Sequence, residues 1–137
     1  MKKNINKKTN KNDKMPTALK VVFALSLLWI LGSIFALSGR LELGIPFFGF
    51  YLYGFSAGLV VYLLDIIGPI AFLIGLWNKK TWAVPVAYTY LIIFILNSIV
   101  ALFTLGDKFT TGQILIPALV YFIFLATICK NKKYFNK

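Results

Sequence analysis

Four long runs of apolar residues divide the chain, and short polar segments separate them. The runs lie at about 17–37, 55–77, 82–105 and 111–129. Each is close to the roughly 20 residues that an α-helix needs to cross the hydrocarbon core of a bilayer. The pattern predicts an all-α protein, a four-transmembrane-helix antiparallel bundle that occupies residues 15–130.

The composition agrees with a membrane protein that has a single domain. Of the 137 residues, 59% are hydrophobic and only 14% are charged, whereas soluble domains are about 25% charged. The four runs use most of the length, so no separate soluble domain is expected. Residues 1–14 are predicted to be a disordered basic tail and residues 131–137 a second basic tail.

The first apolar run has one competing interpretation, a cleaved signal peptide. Small residues at Ala36 and Ser38 are compatible with cleavage. However, the uncharged stretch 21–37 exceeds the 7–15 residues of a typical signal sequence, and a long polar leader precedes it. We therefore expect a retained transmembrane helix.

The basic residues alternate in number between the segments that connect the runs. Seven lie in the first segment up to Lys20, two in the loop 78–81 and four after residue 129, whereas the two opposite loops hold only Arg40 and Lys108. Because cytoplasmic loops are enriched in Lys and Arg, both termini are predicted to be cytoplasmic, in a multi-pass protein of the cell membrane.

The net charge of +11 raises the question of nucleic-acid binding. The charges flank apolar runs, which favours anchoring to anionic lipids of the inner leaflet, and no nucleic-acid partner is expected. Cys129, the single cysteine, excludes an internal disulfide. It is interpreted as a small apolar filler at the end of the fourth run, with lipidation as the alternative.

Asp65 is the only charged residue inside an apolar run away from its ends. Twelve residues separate it from Trp77, which places it ~18 Å from the inner boundary and near the bilayer centre. A carboxylate at this depth costs about 2.5–3.5 kcal/mol on insertion scales. We expect a partner, a water-filled cavity or protonation to offset that cost.

Small residues flank Asp65 on the same helix face. Gly54, Gly58, Gly68 and Gly75 recur near helical spacing and are predicted to let another helix approach closely. Pro69 removes a backbone donor and frees the carbonyl of Asp65, so a kink is expected beside the acid. The pattern is compatible with a packing groove or with a functional polar pocket.

Tyr62 and Asn97 are the predicted partners of Asp65 in a candidate intramembrane polar site. Asn97 lies ~22 Å from the inner face on the third run, at about the same depth as Asp65, and an amide can donate to a carboxylate. A simple interhelical hydrogen bond is the alternative to a functional role.

The connector 38–53 is rich in aromatic residues and is predicted to lie at headgroup depth. Its two charges, Arg40 and Glu42, are not at helical spacing and are interpreted as solvated. An exposed pair between them would contribute little to stability.

The residue set argues against an enzyme. Histidine is absent, only four acidic residues exist, and no phosphate-binding glycine motif or catalytic triad is present. No catalytic residue, metal site or cofactor is therefore predicted.

Two short motifs carry a resemblance. The inner hairpin Gly-Leu-Trp-Asn-Lys-Lys-Thr-Trp-Ala (75–83) and the ending Lys-Lys-Tyr-Phe (132–135) resemble those of a loose group of uncharacterised prokaryotic four-helix membrane proteins. The resemblance implies a four-helix bundle and no known activity.

Three functions are compatible with the sequence. The leading hypothesis is a structural or accessory membrane protein that packs as a homo-oligomer or against another membrane protein. A small transporter or channel subunit that uses Asp65 as a proton or cation site is the alternative. A holin-like pore former is a third.

Overall fold

Five α-helices and one small hairpin account for nearly all of the described chain. The structure is a computed structural model that describes residues 14–136. The helices are α1 Thr17–Phe35, α2 Leu37–Leu43, α3 Gly54–Trp77, α4 Ala83–Thr104 and α5 Thr111–Lys130. The hairpin strands are β1 Ile45–Phe47 and β2 Phe50–Leu52.

Four of the five helices, α1, α3, α4 and α5, are long and apolar enough to cross a membrane. They match the four predicted runs closely, which confirms the expectation of a helical protein with four helices that could cross a membrane. Within residues 14–136 the fold is helical as predicted, with one small two-stranded hairpin added to it. The connector between the first two predicted runs forms α2 and both strands.

The four spanning helices pack most tightly in the half that holds the α3–α4 turn. α4 packs against α3 and α5, and α1 packs against α3 and α5. The side chains buried there come from all four helices and include Leu19, Phe72, Leu76, Leu91 and Ile128. The opposite half has a smaller buried cluster of Ala101, Leu105 and Ile114.

The turn between α3 and α4 closes with a Schellman motif. The Lys80 N–H donates to the Gly75 carbonyl at 2.7 Å, and the Lys79 N–H donates to the Leu76 carbonyl at 3.2 Å. This motif requires a left-handed residue, and Lys79 supplies it with a φ of 56°. A lysine here occupies a position that usually favours glycine, so the turn keeps a positive charge at some backbone cost.

Thr110 caps α5. Its hydroxyl accepts from the Gln113 N–H at 3.4 Å, and the Gln113 side chain accepts from the Thr110 N–H at 2.9 Å. We expect Thr110→Ala to lower the free energy of unfolding by about 1 kcal/mol, because it removes the hydroxyl that accepts from the Gln113 N–H, while the bond from the backbone N–H of residue 110 to the Gln113 side chain is kept. Denaturant unfolding in micelles measures this free energy. Thr89→Ala is the control, since that hydroxyl bonds only the Pro85 carbonyl in its own helix, and an equal loss in both variants contradicts a capping role.

The middle of α3 is a π-helix over Val61–Ile67. The Gly68 N–H reaches back five residues to the Leu63 carbonyl. In a regular α-helix the ring of Pro69 would clash with the Asp65 carbonyl four residues earlier, and Pro69 has no N–H to donate. The sequence predicts a kink at this point, and the structure has a wider, π-helical turn around the acid. Such segments are frequent at functional sites.

The hairpin ends in a tight two-residue turn at Phe48 and Gly49. Both residues have positive φ, 48° and 85°, as in the turns that match the twist of hairpin strands. A phenylalanine at positive φ is strained. Asn97 of α4 offsets this strain, because its side-chain oxygen accepts from the Phe48 N–H at 2.6 Å.

The C-terminal segment folds back onto the bundle. A short 3₁₀ turn at Lys132–Tyr134 follows α5, and Tyr134 and Phe135 are both buried. The region 131–137, predicted as a basic tail, is thus packed against the bundle as far as Phe135. The predicted tail 1–14 lies outside the described residues except for Lys14.

Candidate functional site

Asp65 is buried in the π-helical part of α3, where its carboxylate pairs with Arg40 of α2. The guanidinium Nη1 lies 2.6 Å from Oδ2, and the Asp65 and Arg40 side chains are 10% and 37% exposed. A buried carboxylate needs a counter-charge and hydrogen-bond donors to offset its lost hydration. Arg40 supplies both from the connector rather than from a spanning helix.

Trp29 of α1 completes the coordination of the acid. Its indole N–H donates to Asp65 Oδ1 at 3.2 Å. The two carboxylate oxygens are thus bound by two different elements, α1 and α2, while the acid itself comes from α3. Asp65 therefore fixes three parts of the chain at one point.

A cleft of about 790 Å³ opens beside this ion pair. Its polar lining side chains include Ser33, Arg40, Asp65, Asn97 and Tyr121, and Trp29 forms part of its apolar wall. Residues of the connector and Phe109, from the loop between α4 and α5, also line it. Both segments lie at the end of the bundle opposite the lysine-rich α3–α4 turn, so the cleft opens at that opposite end.

An aromatic layer closes the cleft towards the tightly packed half. The rings of Trp29, Phe94 and Tyr121 contact one another with centroid distances of 5.1–5.7 Å. Tyr90 continues the layer with its ring 6.4 Å from Phe94. A void of only about 10 Å³ lies among these rings and Pro69, about the space of one water molecule. The site is accessible from one end of the bundle and blocked at the other.

The structure brings two of the three predicted site residues to one cavity. Asp65 and Asn97 both line the cleft, but they do not bond each other. Asn97 binds the hairpin instead, accepting from the Phe48 N–H and donating to the Pro46 carbonyl at 3.4 Å. Tyr62 lies on the outer surface of α3 with 55% of the residue exposed, so it is not part of the site.

The predicted packing glycines have three different roles. Gly68 lies against the Tyr90 ring, and Gly75 lies against Ala83 of the next helix, so both permit close approach of α3 and α4. Gly58 lies against Leu41 of the connector. Gly54 differs from the prediction: a Cβ there would meet no described atom within 4 Å, and the glycine is needed for its φ of 51°.

Sequence reasoning missed Arg40 and Trp29 as partners of Asp65. Arg40 was interpreted as solvated, which is wrong, because most of its side chain is buried against the acid. One signal was available: Arg40 is the only arginine among fifteen basic residues. Arginine suits partly buried ion pairs better than lysine because its guanidinium is less strongly hydrated and offers several donors. Glu42, by contrast, is exposed.

No group of three His, Cys, Asp or Glu side chains that could hold a metal ion occurs within residues 14–136.

Comparison with protein-family models, with curated proteins and with solved structures finds no match. The resemblance of the inner hairpin to uncharacterised four-helix proteins stays a prediction. Function is therefore inferred from the geometry around Asp65.

Proposed function

We propose that this chain is a small transporter or channel subunit in which Asp65 is a proton or cation site and Arg40 is its internal competitor. One observation carries this proposal: the single acid within the spans lies at the wall of a large cleft, paired with a cation from a connecting segment. A carboxylate needed only for packing would be enclosed on all sides.

Competition follows from the charges. One carboxylate neutralises one guanidinium, so a proton or metal cation that occupies Asp65 removes the charge that holds Arg40. Arg40 is 37% exposed towards the cleft and can turn into it when released. Occupancy of Asp65 would then be coupled to the position of α2, since α2 carries Arg40. The Trp29 indole N–H, which also donates to the acid, would report the same change to α1.

The aromatic layer determines from which end of the bundle a solute would reach Asp65 in this proposal. Solute reaches Asp65 from the end of the bundle that holds the connector, and passage beyond it requires movement of Trp29, Phe94 and Tyr121. The distribution of lysines supports placing that open end on the outer side of the cell membrane, with both termini cytoplasmic. We propose no catalytic reaction and no cofactor.

Flux in proteoliposomes tests the proposal. Asp65→Asn is expected to reduce proton, Na⁺ or K⁺ flux to the level of protein-free vesicles, because an amide binds no cation by charge and carries no titrating proton. Each ion is supplied as a gradient across the vesicle membrane and followed with an ion-sensitive dye. The unfolding transition of each variant, measured in micelles, shows whether folding is retained.

Glu42→Gln is the matched control, since it removes an exposed acid two residues from Arg40. It should leave flux unchanged. Arg40→Gln should retain flux and lower the cation concentration at half-maximal rate, because the competitor is gone. Equal flux in the wild-type protein and in Asp65→Asn for every ion refutes the proposal.

The accessory or oligomerising role stays a prediction, and three of its four packing glycines are used within this chain. The glycine stripe suggested close packing with a second copy, yet Gly58, Gly68 and Gly75 contact Leu41, Tyr90 and Ala83 of this same chain. Packing against another protein through other surfaces stays a prediction, as does the holin-like role.

A further inference from the structure

The opposite end of the bundle has a second cavity, which is lined by lysines and aromatic rings. It measures about 430 Å³ and is lined by Met15, Lys20, Phe23, Trp77, Lys79 and Tyr134. The described residues that line it include two bases and no acid. It combines segments that are distant in sequence: the start of α1, the end of α3 and the C-terminal 3₁₀ turn.

The folded C-terminal segment forms one wall of this basic pocket. Tyr134 is 8% exposed, and the Lys79 ammonium lies 5.4 Å from the centre of its ring. The same geometry explains why the turn keeps a lysine at the left-handed position 79, where glycine would be less strained. The charge is thus held at the mouth of the pocket by both the turn and the ring.

An apolar groove continues from the basic pocket along α1 and α3. It measures about 450 Å³, and its lining includes Leu27, Ile30, Ile70 and Leu73. Phe23 and Trp77 line both cavities, and their rings are 5.8 Å apart. From Trp77 to Ile70 the groove extends ~10 Å along the helix towards the middle of the span.

We infer that the basic pocket and the apolar groove together bind one anionic glycerophospholipid, with its phosphate between Lys20 and Lys79 and an acyl chain in the groove. Charge complementarity specifies the headgroup, because ammonium groups at the end of a span attract anionic lipid. The adjoining groove specifies a lipid rather than a free phosphate, because a free phosphate has nothing to place against Leu27 and Ile30. This inference is independent of the function proposed for Asp65.

Native mass spectrometry of the full chain tests the inference. The protein is released from micelles that contain equal amounts of phosphatidylglycerol and phosphatidylcholine of the same acyl length, and the two lipid adducts are counted. Phosphatidylglycerol should predominate. In the double variant Lys20→Gln/Lys79→Gln, the preference for phosphatidylglycerol over phosphatidylcholine should fall about fivefold for each lysine removed.

Lys132→Gln/Lys133→Gln is the matched control, because it removes the same charge from exposed positions beside the pocket. It should keep the preference, and Lys20→Arg/Lys79→Arg should keep it too. Equal losses in the two Gln variants would show diffuse attraction and overturn the inference, as would no loss in either.

Two further measurements distinguish a lipid phosphate from free phosphate and test the groove in a variant that keeps all lysines. Excess inorganic phosphate should not displace the lipid, and displacement would show a site for phosphate alone. Ile70→Trp should fill the groove and reduce retention of phosphatidylglycerol while all lysines remain. Undiminished retention would remove the acyl-chain part of the inference.

Discussion

Arg40→Gln should lower the free energy of unfolding by about 3 kcal/mol, the lower end of the range for breaking a buried ion pair. The lower end applies because the guanidinium is 37% exposed, whereas the Asp65 side chain that loses its counter-charge is only 10% exposed. Asp65→Asn should cost less. Its amide oxygen still accepts from Trp29, and the released Arg40 can turn into the cleft.

The double variant Arg40→Gln/Asp65→Asn measures the interaction between the two charges separately from the contacts that each makes with other residues. Removing both charges leaves no unpaired ion, so its loss should be smaller than the sum of the single losses by about 1–3 kcal/mol. Denaturant titration in mixed micelles gives the four free energies. Glu42→Gln on the same helix should stay within ~0.5 kcal/mol of the wild-type protein. Additive losses would mean that the 2.6 Å contact contributes no coupling.

Gly75→Ala should lower the free energy of unfolding by about 1–3 kcal/mol through overpacking. A Cβ at this position would stand 2.5 Å from the Ala83 Cβ and 3.2 Å from the Trp82 ring. Neither neighbour can move away easily, because the Schellman turn fixes the start of α4 against the end of α3.

Two further variants test whether the loss in Gly75→Ala comes from the close approach of α3 and α4. Gly32→Ala is the control, since a Cβ on that α1 glycine meets no described atom within 4 Å, and it should cause no loss. Ala83→Gly in the Gly75→Ala background should recover part of the stability, because it removes the atom that clashes. If Gly75→Ala and Gly32→Ala behave alike in thermal unfolding, the close approach of α3 and α4 is not a constraint.

The spans were predictable because hydrocarbon imposes a strong and simple requirement on sequence. A run of about 20 apolar residues has few alternatives to a helix, since every backbone group must be bonded within the lipid. The sequence narrows the cap of α5 to Thr110 or Thr111 for a similar reason, because a capping residue acts on its immediate neighbours. These features depend on local sequence alone.

The contacts of Asp65 were harder to predict because they depend on a departure from α-helical geometry. Helical spacing of three and four residues put Tyr62 and Asp65 on one face. The π-helix over Val61–Ile67 changes the angle per residue, so residues three apart no longer share a face. Depth alone put Asp65 and Asn97 near one level, and both line one cavity, but depth does not specify which side chains bond.

The connector was the least predictable segment. Its hairpin lacks the Asn-Gly or Asp-Gly turn that usually marks such a structure. Phe48 and Gly49 occupy the turn instead, and the strained Phe48 is stabilised by Asn97 from a helix about 50 residues later in the chain. A stabilising contact from so far along the chain leaves no local signal.

The way the connector is attached limits how Arg40 could leave Asp65. At one end only Ala36 separates α2 from α1, and at the other end Asn97 fastens the hairpin to α4. Gly44, with a φ of 80°, is the joint between these two attachments. If the Arg40 guanidinium left Asp65, it would therefore move with a short connector that is attached at both ends. Its travel would be limited to the ~10 Å length of α2, so a pair of distance probes on α2 and α4 would have to resolve a change no larger than that.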